Sequence, residues 1–198
     1  MKKRLFDIIL SFFVLLVSFP LILIAWIVAS IETKSNGLFT QDRVGLKGRL
    51  FRVFKIKTMI EVSSSNSTSI LCSNNIRITR SGKFFRNTKI DELPQLWNVF
   101  IGDMSFVGPR PDVFGYADKL QDGDKIILSV RPGITGPAQL RYKNEEEMLA
   151  AQDDPTKFNN EVIWPDKVRI NRMYIENYSF FRDIAYIWKT VVGGDAKH

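Results

Sequence analysis

The stretch that decides the fold is Lys89-Ile90-Asp91-Glu92-Leu93-Pro94-Gln95-Leu96-Trp97-Asn98-Val99, in which two adjacent carboxylates open an apolar helical pattern. Proline is tolerated in the first turn of a helix, where backbone N–H groups have no intrahelical partner. We therefore predict a helix that begins near Asp91. Its buried side would carry four apolar residues, namely Leu93, Leu96, Trp97 and Phe100. At a helix start, Asp91 and Glu92 can be a simple cap or a reacting pair beside a bound phosphate, and the local pattern leaves both open.

Basic residues surround this stretch on both sides. Two loops rich in glycine and proline follow it, residues 102–111 with Arg110 and residues 129–139 with Arg131. Glycine allows close backbone approach and arginine offers a planar fork for phosphate, so the loops are candidate phosphate sites, with structural ion pairs as the alternative. We call Asp91 and Glu92 the dyad. Before the dyad, basic residues recur at every third position, in the order Arg77, Arg80, Lys83, Arg86 and Lys89. Such a series is a solvated face by default, but Arg86 stands close to Asp91 and is the better candidate for a functional cation.

The composition excludes several classes of function. The 198 residues include one cysteine, Cys72, and one histidine, His198, so an internal disulfide, a cysteine-built zinc site and Ser-His-Asp chemistry are all excluded. The first 60 residues hold ten Lys/Arg against three acids and thus carry the whole net charge of +7. This excess points to an anionic membrane surface. Because the chain shows no helix-turn-helix, zinc-finger or RNA-binding motif, no nucleic-acid partner is predicted.

Residues 8–31 form an apolar run that is long enough to span a bilayer if helical. Its polar or helix-breaking interruptions are Ser11, Ser18, Pro20 and Ser30. A cleaved signal peptide is one alternative. It fits poorly, because the run is longer than the apolar region of such peptides and no small-residue cleavage site follows it.

The proline in the middle of this run predicts a bend. Each arm on either side of Pro20 would be about 16 to 18 Å long, roughly one leaflet. Both flanks are basic, which disfavours placing either flank outside the cell. A re-entrant helix that turns at Pro20 satisfies both facts, with a kinked spanning anchor as the alternative. Ser18 could then hydrogen-bond a carbonyl freed at the bend.

The remainder indicates an α+β fold that is mostly helical. Residues 37–43 and 50–57 predict two short strands around a turn at residues 45–48, and residues 61–75 predict a polar loop. A short helix is expected at residues 145–152. Residues 168–192 are helical and aromatic, which fits core packing or amphipathic helices at the membrane interface. We expect two parts, a re-entrant membrane helix at residues 1–35 and a catalytic domain at residues 36–198.

Several of these motifs together resemble the bacterial sugar transferase family, the monotopic phosphoglycosyl transferases. The resemblance runs in order through nearly the whole chain. It includes Lys3-Arg4-Leu5-Phe6-Asp7, Phe39-Thr40-Gln41-x-Arg43-x-Gly45, Phe54-Lys55-x-Lys57-Thr58-Met59, the segment from Asp91 to Asn98, the Arg110 loop and Arg131-Pro132-Gly133-Ile134-Thr135-Gly136. In that family a serine usually stands beside the membrane proline. Here Phe19 occupies that position, and Ser18 lies one residue earlier.

The resemblance implies an enzyme that transfers a phospho-sugar from a UDP-sugar to undecaprenyl phosphate, with Mg2+, at the bacterial inner membrane on its cytoplasmic face. By family analogy Asp91 is the nucleophile, forming an aspartyl-phosphosugar intermediate, and Glu92 is the Mg2+ ligand. Arg86, Arg110 and Arg131 would bind substrate phosphates. The alternative is a catalytically silent membrane-bound scaffold of polysaccharide assembly. The sequence leaves open the sugar, whose contacts we expect within residues 116–152, the glycoconjugate pathway, and whether the protein is a monomer or a homo-oligomer.

Overall fold

The computed structural model describes residues 2–60, 78–116, 120 and 122–193, so the predicted loop at residues 61–75, together with Cys72, Arg77 and His198, lies outside the described residues. The predicted fold class, α+β and mostly helical, is confirmed. The α-helices are α1 Lys2–Thr33, α2 Arg80–Thr88, α3 Gln95–Ile101, α4 Pro137–Arg141, α5 Glu145–Ala150, α6 Pro155–Phe158, α7 Trp164–Glu176 and α8 Phe180–Val192. The strands are β1 Leu38–Val44, β2 Leu50–Ile56, β3 Ser105–Val107 and β4 Gly133–Thr135.

The chain forms two compact units. The dyad unit comprises Ile8–Gln41 and Arg52–Ile101 and contains Asp91 and Glu92. The arginine-loop unit comprises Met1–Asp7, Asp42–Phe51 and Gly102–His198 and contains both loops with an embedded arginine. The predicted division at residue 35 concerns which part of the chain meets lipid, which compactness does not measure, and it stays a prediction.

Helix α1 is the apolar segment recognised in the sequence. It continues from Lys2 to Thr33 with Pro20 inside it, and the bend at Pro20 stays a prediction. By length and composition it could cross a membrane, and large side chains such as Leu16, Val17 and Phe19 are exposed. Exposed apolar surface of this extent fits contact with lipid. A re-entrant path through one leaflet stays a prediction.

The predicted partner of Ser18 was wrong. The Ser18 hydroxyl donates to the carbonyl of Val14 at 2.6 Å, whereas Pro20 deprives the carbonyl of Leu16 of its N–H partner. A helical serine reaches the carbonyl three or four residues before it, and Leu16 lies only two before Ser18. The hydroxyl therefore bonds back onto its own turn, an arrangement that often bends helices.

The core of the dyad unit joins the second half of α1 to β2 and α2. Its buried residues are Ala25, Ala29, Ile56 and Phe85. Alanines on α1 allow the neighbouring elements to approach closely, and burial of the larger side chains supplies the apolar contact that holds them. A polar contact adds to this, because the backbone N–H and hydroxyl of Ser81, in the first turn of α2, donate to the Glu32 carboxylate.

In the arginine-loop unit, the two predicted loops lie side by side. Strand β3 follows Gly102 in the first loop and pairs in parallel with β4 of the second, with Ser105 opposite Gly133. The backbones approach so closely that a Cβ atom on Gly133 would lie 2.1 Å from the Gly108 nitrogen. Only glycine fits there, which explains the glycine-rich composition of both loops.

The first turn of α1 belongs to the arginine-loop unit and is fixed there by Lys3. The ammonium group donates to the Val107 carbonyl at 2.8 Å and to the Tyr174 hydroxyl at 3.0 Å, and it forms an ion pair with Asp183. All three of its N–H donors are therefore used. The Tyr174 hydroxyl in turn donates to Asp183 at 2.6 Å, and burial, with Asp183 beside it, raises the pKa of Tyr174. Lys3, counted in the sequence among the charges for a membrane surface, is thus bound within the protein.

The aromatic C-terminal segment contains two helices rather than one. Helix α7 ends at Glu176 and α8 begins at Phe180. Tyr174 is buried in the core, whereas Phe181 and Trp188 on α8 are 84% and 68% exposed. Core packing thus accounts for part of the aromatic content. Membrane contact by the exposed face of α8 stays a prediction.

Candidate functional site

The dyad lies in a tight turn between two helices, not in the first turn of a long helix. Helix α2 ends at Thr88, and Lys89 adopts a left-handed conformation with φ of 59°. Ile90–Glu92 then form a single 3-10 turn, and α3 begins only at Gln95. The predicted helix start was therefore four residues early. The left-handed Lys89 stops α2, and Pro94 cannot continue a hydrogen-bonded helix from the turn before it.

Asp91 is a buried carboxylate with an unsatisfied oxygen. Its residue surface is 8% exposed, and among the residues that the structure describes Oδ1 has no hydrogen-bond partner. Burial raises the pKa of Asp91, the neighbouring Glu92 raises it further, and the charge of Lys55 is the largest influence lowering it. A buried acceptor without a partner is costly in a native protein, and such atoms often mark a functional group. Asp91 is therefore suited to receive a ligand or to attack one.

Glu92 is held by a residue that the sequence analysis did not assign to the site. The Lys55 ammonium lies 2.9 Å from Glu92 Oε1, and the two side chains are 24% and 14% exposed. Lys55 comes from β2, one of the two strands predicted from the sequence. The signal that could have found it was its place in the Phe54-Lys55-x-Lys57 motif.

The buried side of α3 includes two polar residues that the prediction did not place there. Gln95 and Asn98 are 4% and 0% exposed, whereas Trp97 is 49% exposed, so its predicted burial was wrong. The Asn98 amide donates to the Arg52 carbonyl at 2.7 Å, and its oxygen accepts from the Phe54 N–H at 3.2 Å. The helix therefore turns both amides to the interior, and strand β2 supplies the partners of Asn98.

The three predicted arginines fall in different units. Arg86 lies in the last turn of α2, in the same unit as the dyad, and its charge lowers the pKa of Asp91. Arg110 and Arg131 belong to the arginine-loop unit. There Arg131 donates from Nε to the Gly102 carbonyl at 2.7 Å, so it braces the first loop. Arg110 is exposed at the end of that loop.

A further charged cluster, which the sequence analysis did not predict, follows Arg110. Burial raises the pKa of Asp112 to about 6, although the charges of Lys167, Arg43 and Arg110 oppose this shift. An N–H of Arg43 donates to the Pro111 carbonyl at 3.3 Å. The cluster was missed because its members are distant in sequence.

The donor atoms available for a metal ion are few. Among the described residues, no group of three or more His, Cys, Asp or Glu side chains is close enough to hold one. Mg2+ commonly binds one or two carboxylates and takes its remaining ligands from water and substrate phosphates. The adjacent carboxylates of Asp91 and Glu92, with the unsatisfied Asp91 oxygen, fit that pattern.

Comparison with known proteins gives one family. Residues 1–194 match the family described as bacterial sugar transferase. The chain is 33% identical over 97% of its length to a UDP-glucose:undecaprenyl-phosphate glucose-1-phosphate transferase of Klebsiella pneumoniae. It is 32% identical over 95% of its length to an undecaprenyl-phosphate galactose phosphotransferase of Salmonella typhimurium, and 34% identical over 96% to the uncharacterized sugar transferase EpsL of Bacillus subtilis. It spans 40%, 39% and 85% of these relatives, respectively.

Proposed function

Because the chain belongs to the bacterial sugar transferase family, as its motifs predicted, we propose that it transfers a phospho-sugar from a UDP-sugar to undecaprenyl phosphate and releases UMP. The observation that carries the proposal is the buried Asp91 carboxylate with its unsatisfied Oδ1. The names of the Klebsiella and Salmonella relatives supply the two substrates. They are named for glucose and for galactose at nearly equal identity, so the sugar is left unassigned.

In the first step, an oxygen of the ionised Asp91 carboxylate attacks the phosphorus that bears the sugar. A bond forms between that oxygen and the phosphorus, and the bond from the phosphorus to the bridging oxygen of the diphosphate breaks. The electron pair leaves with UMP. The enzyme retains the phospho-sugar as an aspartyl acyl phosphate, and no proton need move because the nucleophile is already an anion.

In the second step, a phosphate oxygen of the lipid acceptor attacks the same phosphorus. The bond to Asp91 breaks, the electron pair returns to the carboxylate, and undecaprenyl diphosphate sugar is released. Two displacements allow the two anionic substrates to react with the protein one after the other, rather than with each other. Burial of Asp91 excludes water, which would otherwise hydrolyse the intermediate.

Charge neutralisation is the main requirement, because a carboxylate must approach a diphosphate. Asp91 and Glu92 would hold Mg2+, which when bound would neutralise phosphate charge. Glu92 accepts from Lys55 at Oε1, and a carboxylate has about four acceptor positions in all. Arg86 supplies a cation within the same unit. Arg110 and Arg131 stay proposed phosphate ligands on the strength of their motifs.

The site of action follows from α1. Its exposed apolar length favours a membrane-bound enzyme, and the basic flanks favour the cytoplasmic face of the bacterial inner membrane. We propose that the product begins the assembly of a glycoconjugate, such as a capsule, O-antigen, exopolysaccharide or glycoprotein.

The proposal is tested by incubating the purified protein, in detergent micelles, with a panel of UDP-sugars, Mg2+ and undecaprenyl phosphate. We expect one or more sugars to release UMP. Without the acceptor, UMP should appear in an amount equal to the enzyme, and mass spectrometry should find the Asp91 peptide heavier by one phospho-sugar. Absence of UMP across the whole panel would favour the silent scaffold. UMP release without a labelled Asp91 would leave the reaction but remove the covalent intermediate.

Removing Lys55 should change the pH dependence of turnover. The Lys55 charge lowers the pKa of Asp91, which burial and Glu92 raise, so Lys55→Met raises this pKa further. Because attack requires the ionised carboxylate, activity is lost as the pH falls through the pKa, and the acidic limb of the kcat profile moves to higher pH. We also expect kcat at the pH optimum to fall about 10- to 100-fold.

Lys57→Met is the matched control for this change. Lys57 lies just beyond β2, and its ammonium donates to the Ser35 hydroxyl at 2.9 Å. The substitution removes the same charge but leaves the Lys55–Glu92 pair in place, so its acidic limb should coincide with that of the wild type. Equal displacement in both variants would show that overall charge, not the pair with Glu92, controls the profile.

A further inference from the structure

The side chain of Asn98 takes the place of a neighbouring strand. It is fully buried on α3 and bonds the carbonyl of Arg52 and the N–H of Phe54 with a single carboxamide. In a β-strand, the carbonyl of one residue and the N–H of the residue two further on point to the same edge. Asn98 therefore pairs with one edge of β2 as a strand would, and it fixes α3 to the backbone of β2 at one register.

A second contact joins the same two segments of chain. Lys55 follows Phe54 directly on β2, and its ammonium contacts Glu92, which lies three positions before the first residue of α3. The two contacts differ in stiffness. The Asn98 contact is a pair of hydrogen bonds to backbone, whereas Lys55 reaches Glu92 through a flexible four-carbon stem. The backbone contact is thus the one able to determine where the lysine stem begins.

We propose that Asn98 is a positioning residue, which sets β2 against α3 and thereby places Lys55 on Glu92 beside Asp91. This inference rests on the proposed function for its catalytic consequence, but its structural part is independent of it. Asn98 itself touches no reacting atom in this scheme. The burial of a polar residue at position 98 then has a cause, because an apolar side chain would lose both hydrogen bonds to the backbone of β2.

The structural part is tested by zero-length cross-linking of the full-length protein in detergent micelles. A carbodiimide joins an amine to a carboxylate only where the two are in contact, and mass spectrometry measures the Lys55–Glu92 link. The Lys167–Glu145 pair, 2.6 Å apart in the arginine-loop unit, is the internal standard. We expect Asn98→Leu, which keeps the branched shape of the side chain but removes both hydrogen bonds, to reduce the relative yield about fivefold or more. Asn98→Asp keeps the acceptor for the Phe54 N–H, so its cross-link yield should lie between those of the wild type and Asn98→Leu.

Val99→Ala is the matched control for loss of packing. Val99 is the next residue of α3 and is also 0% exposed, but its side chain is apolar and cannot hydrogen-bond β2. We expect Val99→Ala to lower the melting temperature while retaining the cross-link and a kcat within about threefold of the wild type. If Asn98→Leu fails to fold, Asn98→Asp and Val99→Ala decide the question by the same yields.

The catalytic part is tested by a double-mutant cycle. Asn98→Leu should lower kcat about 10- to 100-fold with little change in the KM for the UDP-sugar, because the pair is misplaced rather than the substrate site lost. In a Lys55→Met background, Asn98→Leu should lower kcat little further, since the lysine that Asn98 positions is already absent. The inference is overturned if Asn98→Leu leaves the cross-link yield unchanged. It is also overturned if the fall in kcat of the double variant equals the product of the falls in the two single variants. If the wild type releases no UMP, the proposed function has failed, and the cross-link yields alone decide the role of Asn98.

Discussion

Replacing Asp91 by asparagine is expected to lower the rate of UMP release by about 1,000-fold or more, because an amide oxygen is far too weak a nucleophile to form the acyl phosphate. The fold should not suffer. Burial raises the pKa of Asp91, which means that the ionised side chain is disfavoured in the folded protein, and a neutral amide of the same shape removes that cost. Turnover and the melting temperature are measured on the same preparation, and we expect the latter to be unchanged or higher.

Two further variants make this result specific. Glu92→Gln should retain the covalent intermediate, at a reduced rate, because it removes a charge beside the nucleophile and leaves Asp91 intact. Asp153→Asn alters an exposed aspartate outside the dyad unit and should leave turnover unchanged. Retained turnover in Asp91→Asn would remove Asp91 as the nucleophile, even if UMP release by the wild type had been demonstrated.

The second large effect is expected on stability. Lys3→Met removes the cation from an ion pair in which the Asp183 side chain is 4% exposed. The aspartate then stays buried with the Tyr174 hydroxyl but without a counter-charge, and the Val107 carbonyl loses a donor. We expect the free energy of unfolding to fall by about 2–4 kcal/mol, because removing one partner strands the other charge. Thermal unfolding in detergent micelles measures the change.

The neighbouring lysine provides the control. Lys2 is exposed, and Lys2→Met makes the same change of charge and shape one residue away. We expect a change within about 0.5 kcal/mol there. Adding Asp183→Asn to Lys3→Met should restore part of the lost stability, since the stranded charge is removed. Equal destabilisation by the two lysine variants would instead assign the effect to charge near α1 in general.

Much of this architecture could be predicted because it depends on local pattern. The apolar run, the strand pair around the turn at residues 45–48 and the amphipathic C-terminal helices each follow from periodicity over a few residues. The family was recognised from several motifs in order, and the match over residues 1–194 confirms it. The identity of the dyad also came from a local motif, in which two carboxylates are adjacent.

The parts that failed depend on contacts between distant segments. Trp97 was predicted to be buried and Asn98 was not, because periodicity assigns burial from the polarity of each side chain alone. The backbone edge of β2 is a polar partner that only the tertiary structure supplies, and it reverses the preference at these two positions. Lys55 was missed for the same reason. Its partner Glu92 is 37 residues away, and no spacing rule connects them.

The start of α3 failed for a different reason. A proline two residues after an acidic pair fits a helical first turn. No glycine stands between Gly82 and Gly102 to signal a left-handed residue before the pair. Lys89 adopts that conformation without being glycine. Such a residue is strained relative to an ordinary helical one, and strain of this kind clusters at functional sites. Its position two residues before Asp91 agrees with that tendency.

The ion pair of Lys3 also has a consequence for biosynthesis. Lys3 and Asp183 are separated by 180 positions, so the ribosome adds the lysine well before the aspartate. At about 5 to 20 residues per second, the lysine waits roughly 10 to 40 seconds for its partner. During that interval α1 can enter the membrane, whereas the unit that fixes its first turn is still incomplete. A membrane-bound α1 would therefore have time to settle in lipid before closure of the arginine-loop unit fixes its first turn.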